Sequence, residues 1–284
     1  MKPTISVIIP CKDGAEFIPH LFKDLSAPAL AGKIDEIVFV DDCSDDGSKK
    51  VADLLATKLF NGINYISCRT DEFRGCGGAR NEGVSLATSD YIFFCDVDDR
   101  LHNCAIENIR KAIEENDNPD CVILSFTREQ GGQSYPTILN SKVLQNYAFA
   151  PVAPWAKCFK RELFVPFIEK VICEDTPWWF LQADRFEKIA YVEEPVVRYN
   201  RNNKSAITQT VEWCATHPFT LETLAYENIL IANGLRDNWV GDFLRNVATM
   251  YDIRNKLKKP EVKLAWSIRF KQEVANLMTG RYVH

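Results

Sequence analysis

Short runs of β-branched and aromatic residues alternate with amphipathic stretches through the first 126 residues of the chain. The apolar runs, each bounded by turn or cap residues, lie at residues 5–9, 36–40, 63–67, 91–95 and 121–126. Apolar positions with helical spacing separate them at residues 17–25, 51–55 (after a Ser48 cap), 79–87 and 106–113. This alternation predicts an α/β fold whose mostly parallel, Rossmann-like sheet is covered by helices on both faces.

The pattern loosens in the next part of the chain, where turn residues and prolines are frequent. Two stretches, residues 161–168 and 177–183, have helical spacing, and residues 189–199 have the pattern of a strand. The regular βαβ alternation does not continue through these elements.

The last part of the chain has the pattern of helices. From residue 211 onwards, apolar residues recur at helical spacing and predict three or four helices. We therefore expect one α/β domain over residues 1–210, divided near residue 126, and a helical C-terminal region over residues 211–284.

Composition narrows the class of protein. The 284 residues carry a formal net charge of -5, which excludes a generally basic coat, so we expect no nucleic-acid partner. The ten cysteines form no Cys-x-x-Cys pair and no cluster with histidine, which favours reduced thiols over a disulfide framework or a zinc site. No apolar run reaches the ~18 residues of a membrane span, and the N-terminal run is too short for a signal-peptide core. These features predict a cytoplasmic protein.

Charge is distributed unevenly along the chain. Residues 254–284 hold eight Lys or Arg and two Glu, a net charge of +6, whereas residues 1–253 hold 26 basic and 37 acidic residues, a net charge of -11. Trp266, Ile268 and Phe270 lie among these cations. Two interpretations stay open: a peripheral contact with the inner face of the membrane, and a solvated helix that packs on the domain or on another copy in a homo-oligomer.

Carboxylates directly follow two of the apolar strands. Asp41 and Asp42 leave the second strand, where a carboxylate can accept hydrogen bonds from a base or a ribose. Asp96, Asp98 and Asp99 leave the fourth strand, and in extended backbone Asp96 and Asp98 project to the same side. Crowded carboxylates are costly in a dry site unless a cation joins them, and oxygen ligands select a hard ion such as Mg²⁺ or Mn²⁺. The alternative interpretation is an acidic turn that begins a helix.

A glycine cluster precedes the third predicted helix. Residues 74–83 read Arg-Gly-Cys-Gly-Gly-Ala-Arg-Asn-Glu-Gly. Glycines before a helix let backbone N–H groups approach a phosphate, but this segment lacks the Lys-Ser/Thr of a P-loop. Together with Arg80, a fixed cation suited to phosphate or base contacts, it is a candidate second wall of the same site.

Four spaced motifs agree in their order and in their strand or turn contexts. They are Ser6-Val7-Ile8-Ile9-Pro10-Cys11-Lys12, Val40-Asp41-Asp42-x-Ser44-x-Asp46-Gly47-Ser48, Gly78-Ala79-Arg80-Asn81-x-Gly83 and Asp96-Val97-Asp98-Asp99. Over about residues 4–100 this arrangement resembles the family 2 glycosyltransferases of the GT-A nucleotide-diphospho-sugar transferase fold, in particular bacterial, non-processive, inverting enzymes. Cys43 stands where the family usually has Gly, which is a departure from the family's pattern in that turn.

The resemblance implies which residues bind the nucleotide. The acidic pair Asp41 and Asp42 would hold the base, with Pro10 and Lys12 nearby, and Arg80 would contact the base or the diphosphate. The donor implied is a nucleotide-diphospho sugar, most often a UDP-sugar in this family.

The resemblance also implies the metal ligands. Asp96 would face the ribose and Asp98 would ligate the Mn²⁺ or Mg²⁺ that bridges the diphosphate, with Asp96 and Asp99 as further metal candidates. A divalent cation would offset the negative charge that develops on the leaving phosphate.

Asp175, in the pair Glu174-Asp175, matches the family's downstream catalytic carboxylate. We expect Asp175 to act as general base on the acceptor hydroxyl, in a single displacement that inverts the anomeric configuration, with Glu174 as the second candidate. The alternative interpretation is a helix N-terminus, because Thr176 and Pro177 follow.

The function that the resemblance implies is transfer of one sugar to a hydroxyl of a glycan or lipid-linked acceptor, as in cell-surface polysaccharide biosynthesis. Residues 1–126 would form the nucleotide-binding half of the catalytic domain and residues 127–210 the acceptor half. Two alternatives stay open: a sugar-phosphate nucleotidyltransferase, whose glycine-rich loop should follow the first strand where only Gly14 occurs, and a non-catalytic nucleotide-sugar-binding module. Trp155 and Lys157 are either a wall of the acceptor site or plain packing with a solvated lysine.

Overall fold

Nine strands form one sheet in the computed structural model of the chain, which describes residues 2–169, 174–201 and 253–279. Their order across the sheet is β3-β2-β1-β4-β8-β6-β9-β5, and β7 pairs with β6. The strands are β1 (Ile5–Cys11), β2 (Glu36–Asp41), β3 (Asn64–Arg69), β4 (Tyr91–Phe94), β5 (Arg100–Leu101), β6 (Cys121–Gln130), β7 (Gln133–Thr137), β8 (Lys157–Lys160) and β9 (Ile189–Asn200).

Helices connect these strands and follow them. They are α1 (Ile18–Leu30), α2 (Ser48–Leu59), α3 (Gly75–Leu86), α4 (Ala105–Glu115), α5 (Ser141–Leu144), α6 (Asp175–Ala183) and α7 (Pro260–Thr279). Short 3-10 turns lie at Tyr147–Phe149, Pro154–Ala156, Arg161–Leu163 and Ile253–Asn255.

The predicted mostly parallel sheet is confirmed. β1 is parallel to both β2 and β4, β2 is parallel to β3, and β6 is parallel to β9. β8 lies between β4 and β6 and is antiparallel to both, so β6 and β9 point in the same direction as β1–β4. The antiparallel strands β5, β7 and β8 were not predicted, since two of them are only two and four residues long.

Helices cover both faces of the sheet, as predicted. On one face, the ring of Phe22 in α1 lies 6.1 Å from that of Phe39 in β2. On the other, α3 approaches β1 so closely that a Cβ on Gly83 would lie 2.3 Å from Cγ2 of Ile8. Because Ile8 pairs with Val38, it points to the face opposite Phe39.

Two local predictions are wrong. Ser48 is the first residue of α2 and not its cap, because the preceding Gly47 adopts a φ of 83° that favours glycine. The helix predicted over residues 161–168 is a single turn, since Phe164 is extended (φ -59°, ψ 135°) and Pro166 cannot continue a helix. The backbone beyond the turn is held by side chains instead: Val165 N–H donates to Gln182.

α7 belongs to the C-terminal region predicted over residues 211–284 and packs on the α/β domain. Val262, Ala265 and Trp266 are buried. The predicted boundary near residue 210 and the helices predicted before α7 lie outside the described residues. Among the helices that the structure describes, none is long and apolar enough to cross a membrane.

Candidate active site

The strand order reverses between β1 and β4. β1 lies between β2 and β4, and Ile8 of β1 pairs with Phe94 of β4. The chain leaves these neighbouring strands at the same edge of the sheet, which is where open α/β sheets bind their ligands. Lys12 follows β1 and Asp96 follows β4, so two of the predicted motifs meet at this point.

Asp41 and Asp42 lie at the same edge, after β2, and both are buried. Asp42 accepts hydrogen bonds from the Thr70 hydroxyl (2.9 Å) and from the backbone N–H groups of Arg74 (2.9 Å) and Gly75 (2.8 Å). Asp41 accepts from Arg69 at 2.8 Å. The acidic pair therefore fixes the loop that leads into α3, because Asp42 satisfies N–H groups at the start of that helix.

The turn after Asp42 has strained backbone. Cys43 has a φ of 59°, the left-handed region that favours glycine, and its thiol donates to the carbonyl of Thr70 at 3.0 Å. The Lys12 ammonium donates to the Cys43 carbonyl at 2.9 Å and pairs with Asp13 at 3.0 Å. Cys43 thus adopts a backbone conformation that favours glycine, and Lys12 joins the turns after β1 and β2.

Arg80 is the centre of the site's electrostatics. Its guanidinium is 4% exposed and binds Asp96 at 2.9 Å and Glu174 at 2.7 Å. It also lies 5.4 Å from the centroid of the Phe167 ring. A buried guanidinium requires such carboxylate partners. Its position favours a role in holding Asp96 and Glu174 together over the predicted contact with the base or diphosphate.

Glu174 and Asp175 differ although they are adjacent. Glu174 is buried in its ion pair with Arg80, whereas Asp175 is the half-buried first residue of α6. Burial raises the pKa of Asp175 above its usual value, and the charges of Arg80, Arg269 and Lys157 oppose that shift. Burial also raises the pKa of Glu174, against the charge of Arg80. Asp175 is therefore the more accessible of the two carboxylates.

The acids after β4 form an oxygen-rich group. Asp96 and Asp98 are half-buried, and Asp99 is buried. Asp99 Oδ1 accepts the backbone N–H of Asn200 at 2.8 Å, but Oδ2 is buried without a hydrogen-bond partner among the described residues. Burial and the charges of Asp96 and Asp98 raise the pKa of Asp99 well above its usual range.

This donor set fits a hard divalent cation. Within the described ranges, no group of three or more His, Cys, Asp or Glu side chains could hold a metal ion by itself. Mg²⁺ is usually held by one or two carboxylates with substrate phosphates completing the shell, so a complete cage is not required. Asp96 and Asp98 suit such a role, and the buried oxygen of Asp99 without a hydrogen-bond partner among the described residues is a further possible oxygen ligand.

Gly77 and Gly83, two of the glycines of residues 74–83, serve close packing. A Cβ at Gly77 would lie 2.5 Å from the carbonyl oxygen of Ile168, and one at Gly83 would overlap Ile8. These contacts let α3 approach both β1 and the segment before α6. They explain these two glycines without a phosphate cradle, and they set the position of Arg80 on α3.

The part of the sheet around β8 contains a buried cation. Lys157 is fully buried, in contrast to the solvated lysine of one interpretation. Its ammonium donates to the carbonyls of Pro151 and Ala153 (2.8 Å to the latter) and lies 4.2 Å from the centroid of the Trp179 ring. Burial lowers the pKa of Lys157 to about 7. Trp155 is also buried, with its ring 5.0 Å from that of Tyr199.

Sequence reasoning did not identify two residues that support the site. Glu169 accepts from Arg74 Nε at 3.0 Å, which ties the start of α3 to the segment before α6. Asn200 ends β9 and binds Asp99 through its backbone. The sequence does not indicate the role of Asn200, because a backbone contact between residues 99 and 200 leaves no pattern in the sequence.

Comparisons with known proteins place the chain among glycosyltransferases. A family model described as Glycosyl transferase family 2 matches residues 6–184, more than half of the chain. The amylovoran biosynthesis glycosyltransferase AmsB of Erwinia amylovora is 26% identical over 151 residues, which are 53% of this chain and 46% of that protein. The chain thus spans less than half the length of this curated relative, and the same holds for other curated relatives.

Two solved structures share the fold. The Staphylococcus aureus TarS 1-349 complex with UDP-GlcNAc has a TM-score of 0.62 at 15% identity and covers 99% of this chain and 93% of that one. The mannosyltransferase PcManGT of Pyrobaculum calidifontis, in complex with GDP-Man and Mn²⁺, has a TM-score of 0.57 at 15% identity and covers 99% and 85%. These likenesses confirm the predicted GT-A fold.

Proposed function

The chain belongs to glycosyl transferase family 2, and from this premise we propose that it transfers a sugar from a nucleotide-diphospho sugar to a hydroxyl of a glycan or lipid-linked acceptor. The observation that carries the proposal is the bridge made by Arg80. It joins Asp96, at the end of a strand where nucleotides bind, to Glu174, the neighbour of the proposed base. The proposed donor-binding carboxylate and the proposed base would thereby lie in one site.

We propose a UDP-sugar as donor. The base would lie against the turns after β1 and β2, near Pro10, Lys12, Asp41 and Asp42, with Arg80 behind them. The complex of TarS with UDP-GlcNAc supports a uridine nucleotide, whereas that of PcManGT with GDP-Man supports only the wider class of nucleotide sugars. Asp41 and Asp42, which are buried and accept hydrogen bonds from Arg69 and from Thr70, Arg74 and Gly75, would fix the shape of the base-binding side.

Asp98 and Asp96 would hold Mn²⁺ or Mg²⁺, with Asp99 as the supporting carboxylate. When bound, such an ion supplies positive charge to the diphosphate that leaves from the sugar. The complex of PcManGT with GDP-Man and Mn²⁺ supports a divalent cation as the class of cofactor. Asp99 lies buried beside these two carboxylates, and its hydrogen bond from the Asn200 N–H fixes the turn that presents Asp98.

Asp175 would remove the proton from the attacking hydroxyl. A general base works best when its pKa lies near the working pH, and burial shifts the pKa of Asp175 in that direction. Glu174 cannot serve as readily, because its carboxylate is engaged by Arg80 at 2.7 Å. Attack on the face opposite the leaving diphosphate would invert the anomeric configuration.

The acceptor is proposed to be a glycan of the cell surface. The name of AmsB refers to amylovoran biosynthesis, and another relative, TarP of Staphylococcus aureus, is named for transfer to poly(ribitol-phosphate). Both names support polymer or glycan acceptors for this chain.

Two variants separate donor binding from transfer. The full chain is titrated calorimetrically with UDP, and UDP release is measured with UDP-glucose, UDP-galactose and UDP-N-acetylhexosamines, with and without Mn²⁺. Asp98→Asn is expected to abolish Mn²⁺-dependent UDP binding. Asp175→Asn is expected to keep UDP binding and to lower transfer by roughly 10²- to 10⁴-fold, the usual contribution of a general base.

Asp117→Asn, at an exposed position on the protein surface, is the matched control and should leave both readouts unchanged. If no nucleotide sugar binds, the proposed function is wrong. If both active-site variants transfer normally, the assignment of the residues is wrong.

A further inference from the structure

A cavity of about 290 Å³ lies at the far edge of the sheet, where β5, β6, β7 and β9 meet. Its volume is close to the lower end of the ~300 to 1,000 Å³ of small-molecule sites, which suits one small ligand or one residue of a longer molecule. Five of its six lining residues are polar, and the full set is Leu101, His102, Asn103, Glu129, Ser134 and Arg198.

Strand pairing fixes the positions of these residues. Arg198 of β9 is in register with Thr127 of β6, and Glu129 of β6 is opposite Ser134 of β7. His102 directly follows β5, which pairs with β9. Because the walls of the cavity come from hydrogen-bonded neighbouring strands, its shape is defined before any ligand binds.

A chain of hydrogen bonds orders the polar side chains. Glu129 Oε1 accepts from the hydroxyl groups of Ser134 (2.8 Å) and Thr127 (2.9 Å). Burial is outweighed by these two hydrogen bonds, which hold the pKa of Glu129 below its usual value. Thr127 Oγ1 also lies 3.1 Å from His102 Nε2. Because Thr127 gives its one hydroxyl proton to Glu129, Thr127 accepts the proton of His102 Nε2.

This chain determines the tautomer of His102. Burial and the charge of Arg198 hold the pKa of His102 below its usual value of ~6.5, so the imidazole is neutral at pH 7. A neutral imidazole has one proton, and here Nε2 carries it. Nδ1 of His102 is therefore a hydrogen-bond acceptor.

Arg198 supplies donors to the same cavity. Its side chain is 44% exposed, and its Nε lies 3.7 Å from Glu129 Oε1, which is too far for a hydrogen bond. Among the residues that the structure describes, none accepts a hydrogen bond from this guanidinium. The guanidinium can therefore donate to a ligand.

The charges of the lining balance. Arg198 is positive, Glu129 is negative and His102 is neutral, so neither an anion nor a cation is favoured. The ligand that fits is neutral and both donates and accepts hydrogen bonds. Hydroxyl groups do both, and a ring that carries several of them can donate to His102 Nδ1 and accept from Arg198.

The cavity lies apart from the residues around Trp155. Successive residues of a strand point to opposite faces, and the ring of Tyr199 lies 5.0 Å from that of Trp155. Arg198 therefore points to the other face of the sheet. The cavity is nevertheless close to the acids after β4, because the N–H of Asn200, two residues further along β9, donates to Asp99 Oδ1 at 2.8 Å.

We propose that this cavity binds a neutral saccharide residue, whose hydroxyl groups donate to His102 and accept from Arg198. The choice of a saccharide among hydroxyl-rich molecules rests on the proposed function, whose acceptor is a glycan. A site on this face would give the chain a second contact with a glycan, in addition to the contact at the proposed base.

The test uses simple glycosides that differ in the orientation of one hydroxyl group or in charge. The full chain, with excess UDP and Mn²⁺ to occupy the donor site, is titrated with methyl β-D-glucopyranoside, methyl β-D-galactopyranoside and methyl α-D-mannopyranoside, and saturation-transfer NMR follows binding. Methyl β-D-glucuronide is the anionic arm. We expect at least one neutral glycoside to bind, and the glucuronide to bind more weakly than the tightest of them. Absence of binding by all three neutral glycosides, or tighter binding of the glucuronide, would overturn the proposal.

Variants locate the site. Arg198→Met and His102→Phe should each weaken the tightest glycoside roughly tenfold, the effect of one hydrogen bond to a charged or well-ordered group. Arg185→Met removes an exposed arginine elsewhere on the surface and should change nothing. If His102→Phe does not fold, Arg198→Met decides alone, because its side chain is exposed. Binding that stays unchanged in Arg198→Met would mean that the saccharide binds elsewhere and that the proposal is wrong.

The measurement contains no transfer step, and both cavity variants should keep UDP binding. Failure of the proposed function would appear as absent binding of every nucleotide sugar. Failure of this inference would appear as absent or unaltered glycoside binding in a chain that still binds UDP.

Discussion

The two halves of the sheet contribute residues to the active site in different ways. β1–β4 arise from consecutive βαβ units, and each strand ends at the site with its own motif. β8, β6 and β9 mix directions, and the residues that organise this half come from distant parts of the chain. The side of the site next to β1–β4 is therefore built from strand ends, whereas the side next to β8, β6 and β9 is built from long-range polar contacts around α6.

Arg80 connects the two halves, and breaking its contacts should have the largest effect. Arg80→Met leaves Asp96 and Glu174 without their buried partner, which we expect to cost about 3–5 kcal/mol in the free energy of unfolding. Urea denaturation measures the change.

Arg74→Met is the matched control for this variant. Arg74 also pairs with two carboxylates, Glu82 and Glu169, but its side chain is 27% exposed. We expect a cost of about 1 kcal/mol or less, because solvent screens such pairs. Equal losses in the two variants would mean that Arg80 is not the connection between the halves.

Local sequence patterns predicted most of the region of β1–β4, because each strand and the motif that follows it are adjacent in the sequence. The apolar runs of β1–β4 and the acids that follow them are adjacent in sequence, and parallel pairing brings their ends together. The glycines near Arg80 were interpreted as a candidate second wall of the site, whereas Gly83 serves packing against Ile8. A glycine in the sequence can indicate that a side chain would not fit at that position. The sequence does not reveal which neighbouring residue fills the space.

The acceptor half could be predicted only in part. β9 and α6 have clear patterns, but β8 has four residues, and its partners β4 and β6 precede it by tens of residues. The burial of Lys157 depends on carbonyls in an irregular segment and on the Trp179 ring. Such surroundings result from tertiary packing, which periodicity does not encode. The wrong helix prediction over residues 161–168 has a different cause, because Pro166 is visible in the sequence and cannot continue a helix. The single turn at Arg161–Leu163 could therefore have been predicted.

The acceptor half should also respond to pH through Lys157. Its pKa is lowered to about 7 by burial, whereas an unfolded lysine has a pKa of ~10.4. Between these values the unfolded chain binds more protons, so the free energy of unfolding should rise with pH by up to ~1.4 kcal/mol per unit.

Lys157→Met removes this dependence and provides the reference. Urea denaturation of both proteins at pH 7 and pH 9 should show the wild type gaining about 2 kcal/mol relative to the variant. If the free energy of unfolding changed equally in both proteins between pH 7 and pH 9, Lys157 would stay protonated inside the fold. The Pro151 and Ala153 carbonyls and Trp179 would then be the groups that keep it so.

The smallest expected effect concerns the surface of the C-terminal region. Lys256, Lys258 and Lys271 are exposed, as is Leu264 on α7. If this face rests on anionic lipid, Lys256→Glu with Lys258→Glu should reduce co-sedimentation with phosphatidylglycerol vesicles, at ~1 kcal/mol for each lysine removed. Lys111→Glu, on the exposed side of α4, is the control. Unchanged co-sedimentation would mean that these lysines do not contact anionic lipid.

The contact between Gly83 and Ile8 has a consequence for how the sequence can change. The two positions share one small volume, since any side chain at residue 83 would occupy the space of the Ile8 methyl group. A substitution at one is therefore tolerated only with a compensating change at the other, and the pair is expected to covary among homologues. Because α3 carries Arg80, this steric constraint in the core also restricts which mutational paths leave the active site intact.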